Sequence, residues 1–170
     1  MKIGVISDTH DQQELILQAV HMLNQANVDL VVHCGDWVSP FILHSFKGLR
    51  MPIKGVFGNN DGDKFRHIQF SKELKLDIHY EDRFLEFLLD GKKIAVFHGD
   101  YQEIVNALVK CGAYDVVFHG HTHKIINEIV GKTLSLNPGS LMKRTRDELL
   151  GASFAIYDTS THSAQHYNVD

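Results

Sequence analysis

A chain of 170 residues with 44% hydrophobic content can enclose one well-formed core but not two comfortable domains, so a single domain over 1–170 is expected. The net charge of −4, with acidic and basic residues mixed and no Lys or Arg block, argues against an extended nucleic-acid surface. The opening MKIGVIS runs straight into a strand and no apolar stretch reaches spanning length, so no leader or membrane segment is expected and a cytoplasmic location is.

IGVIS reads as a buried strand that ends at Asp8 and His10. Asp11 with Glu14 then resembles a capping box, and Leu15, Ile16, Ala19, Val20, Leu23 and Ala26 recur at helical spacing. A second strand around Leu30 to Cys34 ends at Gly35-Asp36. Ser39-Pro40 then offers an N-cap and a first-turn proline ahead of FILHSF, which predicts a second helix. IKGVF is a third strand, ending at Gly58-Asn59, whereas residues 63–82 are polar, only weakly periodic and assign no element. FLEFLLDGKKIAVFHG reads as two strands around a turn at Asp90-Gly91, hence a hairpin in a sheet that is not purely parallel. Asp100 and Glu103 are expected to cap a third helix through Ile104, Val105, Leu108 and Val109. DVVF leads into His121 and His123, a turn at Asn137-Pro138-Gly139-Ser140 precedes the polar stretch Lys143–Glu148, and SFAIYD and SAQHYNV close the chain. Strands alternating with helices make the fold α/β. Cys34 and Cys111 lack CxxC spacing and each reads as a small buried hydrophobe.

Seven candidate ligands stand at the ends of these strands: Asp8, His10, Asp36, Asn59, His98, His121 and His123. Open α/β sheets place their sites at such carboxyl ends. D-x-H and H-x-H each put two side chains on one side of an extended segment. The count and mixed nitrogen and oxygen character exceed one tetrahedral site and suit two divalent transition ions about 3.5–4 Å apart. Asp36 is a carboxylate able to bridge them. Imidazole-rich ligation argues against Mg²⁺ alone; Mn²⁺ and Ni²⁺ are favoured, with Fe²⁺, Co²⁺ and Zn²⁺ compatible. His33 and His119 are expected to be buried or to support a ligand rather than be one. His21, His44, His79, His162 and His166 are expected at the surface or core edge. His67 is a minor candidate for substrate contact, as are Arg144 and Arg146 for the pocket rim.

Taken in order, D-x-H, G-D, G-N-x-D, H-G and G-H-x-H resemble the motif set of the calcineurin-like metallophosphoesterases, most of all the small single-domain microbial phosphodiesterases. The resemblance implies two packed, mainly mixed β-sheets flanked by α-helices. It implies one ion on Asp8, His10, Asp36 and His123, and a second on Asp36, Asn59, His98 and His121. It further implies hydrolysis of a small-molecule or nucleotide phosphodiester by a metal-bound hydroxide, with Asp36 and Asn60 as catalytic positions. Asn60 stands where the wider superfamily has a histidine that contacts phosphate and protonates the leaving group. An amide donates a hydrogen bond but delivers no proton at neutral pH. The alternative is a non-catalytic interaction scaffold, because a eukaryotic retromer subunit is similar in fold. That subunit's close relatives depart from the ligand set, whereas every ligand position is filled here. The residues are compatible with cyclic nucleotides, nucleic-acid ends and other diesters, and with a homo-oligomer.

Overall fold

The computed structural model describes residues 1–143 and 151–169. Their strands are, in chain order, β1 (Lys2–Ile6), β2 (Leu30–His33), β3 (Ile53–Val56), β4 (Ile78–Glu81), β5 (Phe84–Leu89), β6 (Lys92–Phe97), β7 (Val116–Phe118), β8 (Ile125–Val130), β9 (Thr133–Pro138), β10 (Ser153–Asp158) and β11 (Ser163–Asn168). The helices are α1 (Gln13–Ala26), α2 (Lys64–Glu73) and α3 (Gln102–Lys110), with a 3-10 helix over Pro40–Phe46.

Two mixed sheets result. The first runs β11-β10-β1-β2-β3-β4, parallel from β1 to β4 and antiparallel at β10 and β11. The second runs β5-β6-β7-β9-β8, with a parallel centre and an antiparallel strand at each edge. The central strands are β-branched and buried on both faces, as parallel strands between covering layers must be. Ile3, Val5, Val32 and Val56 of the first sheet meet Ile94, Val96, Val116 and Phe118 of the second to form the inter-sheet core. α1, the 3-10 helix and Phe70 of α2 cover the outer face of the first sheet. α3 covers the second through Val105 and Val109 against Ala95 and Val117. The order of layers is helix, sheet, sheet, helix, as expected.

Phe118 is fully buried between the sheets, edge-on to Tyr157 at 5.7 Å. Truncating Phe118 to Ala should cost about 3–5 kcal/mol, through lost burial and the cavity left behind. The sole tryptophan, Trp37, is fully buried and reports this unfolding in a denaturant titration. A loss under about 1 kcal/mol would mean the site collapses around the gap.

Several expectations need correction. Asp11 does not cap α1, whose N-cap Gln12 makes no side-chain cap bond; its Oδ1 accepts from Ser39 N at 2.9 Å, joining two loops. Asp100 likewise leaves α3 uncapped and pairs with Arg83. The second helix forms where Ser39 and Pro40 predict it, with Ser39 Oγ accepting from Phe41 N, but in the tighter 3-10 form. The unassigned stretch holds α2, capped by Asp63 accepting from Arg66 N, and the edge strand β4. A second hairpin, β8-β9, follows His123 where the sequence predicts no element, and Asn137-Pro138 ends β9 rather than opening a turn. Cys34 is buried as expected, but Cys111 is exposed. Arg144, Arg146 and most of Lys143–Glu148 lie outside the described residues. No described helix is long and apolar enough to cross a membrane.

Candidate metal centre

Backbone bonds join the loop after β1 to the loop after β2, and the loop after β6 to the loop after β7. Asp8 N donates to Gly35 O at 3.0 Å, Thr9 N to Asp36 O at 3.0 Å, and Gly120 N to His98 O at 2.8 Å. The chain turns sharply after β1, β2 and β7: Asp8 (φ 52), His10 (φ 40), Asp36 (φ 60), His121 (φ 66) and His123 (φ 59) all occupy the left-handed region. Non-glycine residues held there cost of order 1–3 kcal/mol each and persist only where the surroundings enforce them. Gly120 packs so close to Ser7 and Asp8 that a Cβ would overlap both side chains.

The turns aim the side chains inward. Asp8, His10 and His123 each offer a ligand atom within 4.8 Å of one another, as do Asp8, Asp36 and His98. His123 Nε2 lies 3.3 Å and His10 Nε2 3.7 Å from Asp8 Oδ1. Asp36 Oδ2 lies 3.6 Å from His10 Nε2 and 3.4 Å from His98 Nε2, between the two groups. Asn59 Oδ1 is 3.0 Å from His98 Nε2. His121 stands beside His98, ring centroids 5.2 Å apart, outside both groups of close ligand atoms.

Burial alone would raise the Asp8 carboxyl, but the imidazoles of His10, His123 and His98 and the Ser7 hydroxyl hold it well below the usual carboxylate range. Burial opposes ionisation of Asp36 too, yet His98 and the Asn60 amides bring it down to about 2. Burial would lower His98, but Asp36 and Asp8 raise it above the ordinary imidazole value.

Backbone and neighbouring groups orient the site residues. Cys34 O can only accept, so His98 Nδ1, 2.9 Å away, carries the hydrogen, and a neutral ring turns its Nε2 lone pair toward two other acceptors. Asp8 Oδ2 accepts from Ser7 Oγ at 2.5 Å and His121 N at 2.9 Å, leaving Oδ1 to face the imidazoles. Oδ1 and His10 Nε2 are both buried and have no hydrogen-bond partner.

His33 and His119 are buried, as expected. His33 Nδ1 accepts from Gly35 N at 3.0 Å, its ring stacks on Trp37 at 3.5 Å, and burial holds it well below its ordinary value. Burial brings His119 down to about 4, its Nε2 lying 3.0 Å from Ser135 Oγ. Asn137, placed by the sequence in a turn, also supports the site: its Nδ2 donates to Gly120 O at 2.8 Å and to Thr122 Oγ1 at 3.2 Å, bracing the loop that carries His121 and His123. A buried Asn one strand away from an H-x-H gives no readable signal.

Asn60 faces the Asp36 carboxylate, its backbone N donating to Oδ1 at 2.9 Å and its Nδ2 to Oδ2 at 2.7 Å. His67 is not at the rim: it is fully buried, packed between Trp37, Phe57 and Tyr80. His21, His44 and His79 are exposed, and His162 and His166 half-buried.

Residues 1–162 match the sequence profile of the calcineurin-like phosphoesterase superfamily domain. Phosphodiesterase MJ0936 of Methanocaldococcus jannaschii is 39% identical over 139 residues, spanning 82% of this chain and 83% of that protein. Among solved structures, an archaeal phosphodiesterase matches with a TM-score of 0.90 and 34% identity over 99% of both chains. Vps29 of Entamoeba histolytica, solved with zinc, matches with a TM-score of 0.68 and 17% identity over 100% of both chains, a likeness of fold alone.

Proposed function

The chain belongs to the calcineurin-like phosphoesterase superfamily, and from that membership and the geometry of its strand ends we propose that it is a dinuclear metal-dependent phosphodiesterase. The observation that carries the reading is the buried pair Asp8 Oδ1 and His10 Nε2, 3.7 Å apart and without hydrogen-bond partners. Buried polar atoms are otherwise nearly always satisfied, and an acceptor facing an imidazole nitrogen across that gap fits a cation between them. Asp8, His10, Asp36 and His123 would hold one ion, and Asp36, Asn59, His98 and His121 the other. Mn²⁺ or Ni²⁺ suits this donor set best, and Fe²⁺, Co²⁺ or Zn²⁺ also fit. Such ions supply Lewis acidity toward phosphoryl oxygens and acidify water.

The chain's own residues do the positioning. Asn60 has two amide hydrogens; one is spent on Asp36, and the other is free for a phosphoryl oxygen. Neither can leave as a proton at neutral pH, so a small diester with a good leaving group fits the site better than a monoester dianion. The Vps29 likeness keeps a scaffold reading in view. Metal analysis followed by a phosphodiester assay reversible by chelation separates the two: an intact protein that binds ions but hydrolyses no diester sinks the enzyme reading.

Acidification supplies a further prediction. Asp36 is held down to about 2, so its pairing stabilises the protein above the ordinary carboxylate value near about 4 and is lost as pH falls through the lower value. His98 is held up, so its imidazolium stabilises the metal-free protein fully below about 6.5, and this is lost as pH rises through the raised value. A cation must displace that proton. Activity should therefore fall as pH drops through the raised His98 value in a folded protein, excess Mn²⁺ should restore part of it, and metal uptake should release protons. Rates that fall with acid identically at every metal concentration would remove this explanation.

A further inference from the structure

Asp61 is 6% exposed, and among the described residues its carboxylate pairs with no Lys, Arg or His. Its partners are three backbone amides. Oδ2 accepts from Asp36 N at 3.0 Å and Gly58 N at 2.7 Å, and Oδ1 accepts from Val38 N at 2.7 Å. Two of the three belong to left-handed residues, Asp36 (φ 60) and Val38 (φ 76). Left-handed backbone is a severe outlier for a β-branched residue, so something must hold Val38 there. The turn directs its N–H groups inward into an anion-binding concavity, and the Asp61 carboxylate fills it. From the same loop, Asn60 donates twice to the Asp36 carboxylate. Gly58 comes so near that a Cβ would overlap the Asp36 side chain.

We infer that Asp61 is a positioning residue: by clamping the Asp36–Val38 turn in its left-handed form, it sets where the Asp36 carboxylate points, while Asn60 sets that carboxylate's rotation. The inference rests on the dinuclear reading for what Asp36 then does. Its physical core is geometric rather than through-space. Asparagine offers one acceptor oxygen and would turn an NH₂ toward an amide N–H; glutamate keeps the charge but moves it one methylene away from the concavity.

The test is calorimetric titration of the metal-free full chain with Mn²⁺, with electron paramagnetic resonance of the loaded protein as a second readout. Trp37 fluorescence on heating confirms that each variant is folded at the titration temperature. Wild type should bind two ions with the magnetic coupling that a shared carboxylate gives, and if it binds none it is the dinuclear reading that fails. Asp61→Asn and Asp61→Glu should each lose about 10–100-fold in affinity, the range for groups that orient metal ligands, and lose the coupled signal. Adding Val38→Gly, which removes the steric objection to a positive φ, should restore at least part of both. Asp61→Glu binding like wild type would show that charge alone matters and overturn the clamp. So would a folded Asp61→Asn/Val38→Gly protein that binds no better than Asp61→Asn. Should Asp61→Asn not fold, Asp61→Glu takes its place: a loss of affinity that added Val38→Gly restores supports the clamp, and one that it leaves unchanged overturns it.

Discussion

Replacing Asp36 by alanine should remove both ions and hydrolysis together while leaving a folded chain. Its Oδ2 sits between His10 Nε2 at 3.6 Å and His98 Nε2 at 3.4 Å, facing both rings. Loss of a residue that merely orients a ligand costs roughly 10–100-fold in metal affinity or activity, and loss of a shared ligand should exceed that range. The fold should survive because the side chain ends a strand and packs against polar groups. Alanine at φ 60 will still cost about 1–2 kcal/mol, since left-handed backbone suits Asp better than Ala. Asp36→Asn separates the two effects: it tolerates the backbone and keeps the shape but removes the charge. Metal content by elemental analysis, turnover of a diester and Trp37-reported stability distinguish the outcomes. Two tightly held ions and near-normal turnover in either variant would end the assignment of Asp36 as the bridge.

The strand ends were legible because burial on both faces makes a parallel strand an unbroken apolar run, and the first polar residue after it marks the loop where ligands sit. The layer order, by contrast, came through the family resemblance, since periodicity assigns strands without saying which sheet they join. Where a helix or strand buries polar residues, the signal fails. α2 packs inward with His67, Phe70 and Ser71 and leaves Phe65 and Ile68 toward solvent, so its apolar stripe is scrambled. β8 is an edge strand that exposes Ile125 and Ile129 beside Asn127 and Glu128. Caps failed for a different reason. Asp11 and Asp100 precede helices as capping residues do, but partners distant in sequence, Ser39 and Arg83, take their carboxylates. His67 illustrates the same limit: its sequence neighbourhood beside the site says nothing of the aromatic cage that buries it. Asp61 was visible only as the last letter of G-N-x-D, because the amides it accepts from become neighbours only after β2 and β3 pair.

The leaving group should reveal what Asn60 lacks. Bis(p-nitrophenyl) phosphate should be hydrolysed much faster than p-nitrophenyl phosphate with Mn²⁺ or Ni²⁺ bound, because an aryl oxide needs little protonation and a diester presents less negative charge than a monoester dianion. Asn60→His would retain the backbone N–H to Asp36 Oδ1, which any residue there supplies, and would exchange the Nδ2 contact with Oδ2 for an imidazole. Some loss of metal affinity is therefore expected, and rates must be compared at saturating metal. The Asn60 side of the site is exposed, so a ring has room to turn toward substrate. A positioned general acid contributes about 10²–10⁴-fold, and that gain should appear with alkyl esters, whose alkoxides leave poorly, and nearly vanish with nitrophenyl esters. A plot of log rate against leaving-group pKa should accordingly be steep for wild type and flatter for Asn60→His. Equal slopes, or a wild-type preference for the monoester, would mean that the leaving-group proton comes from elsewhere in the site and that Asn60 serves Asp36 alone.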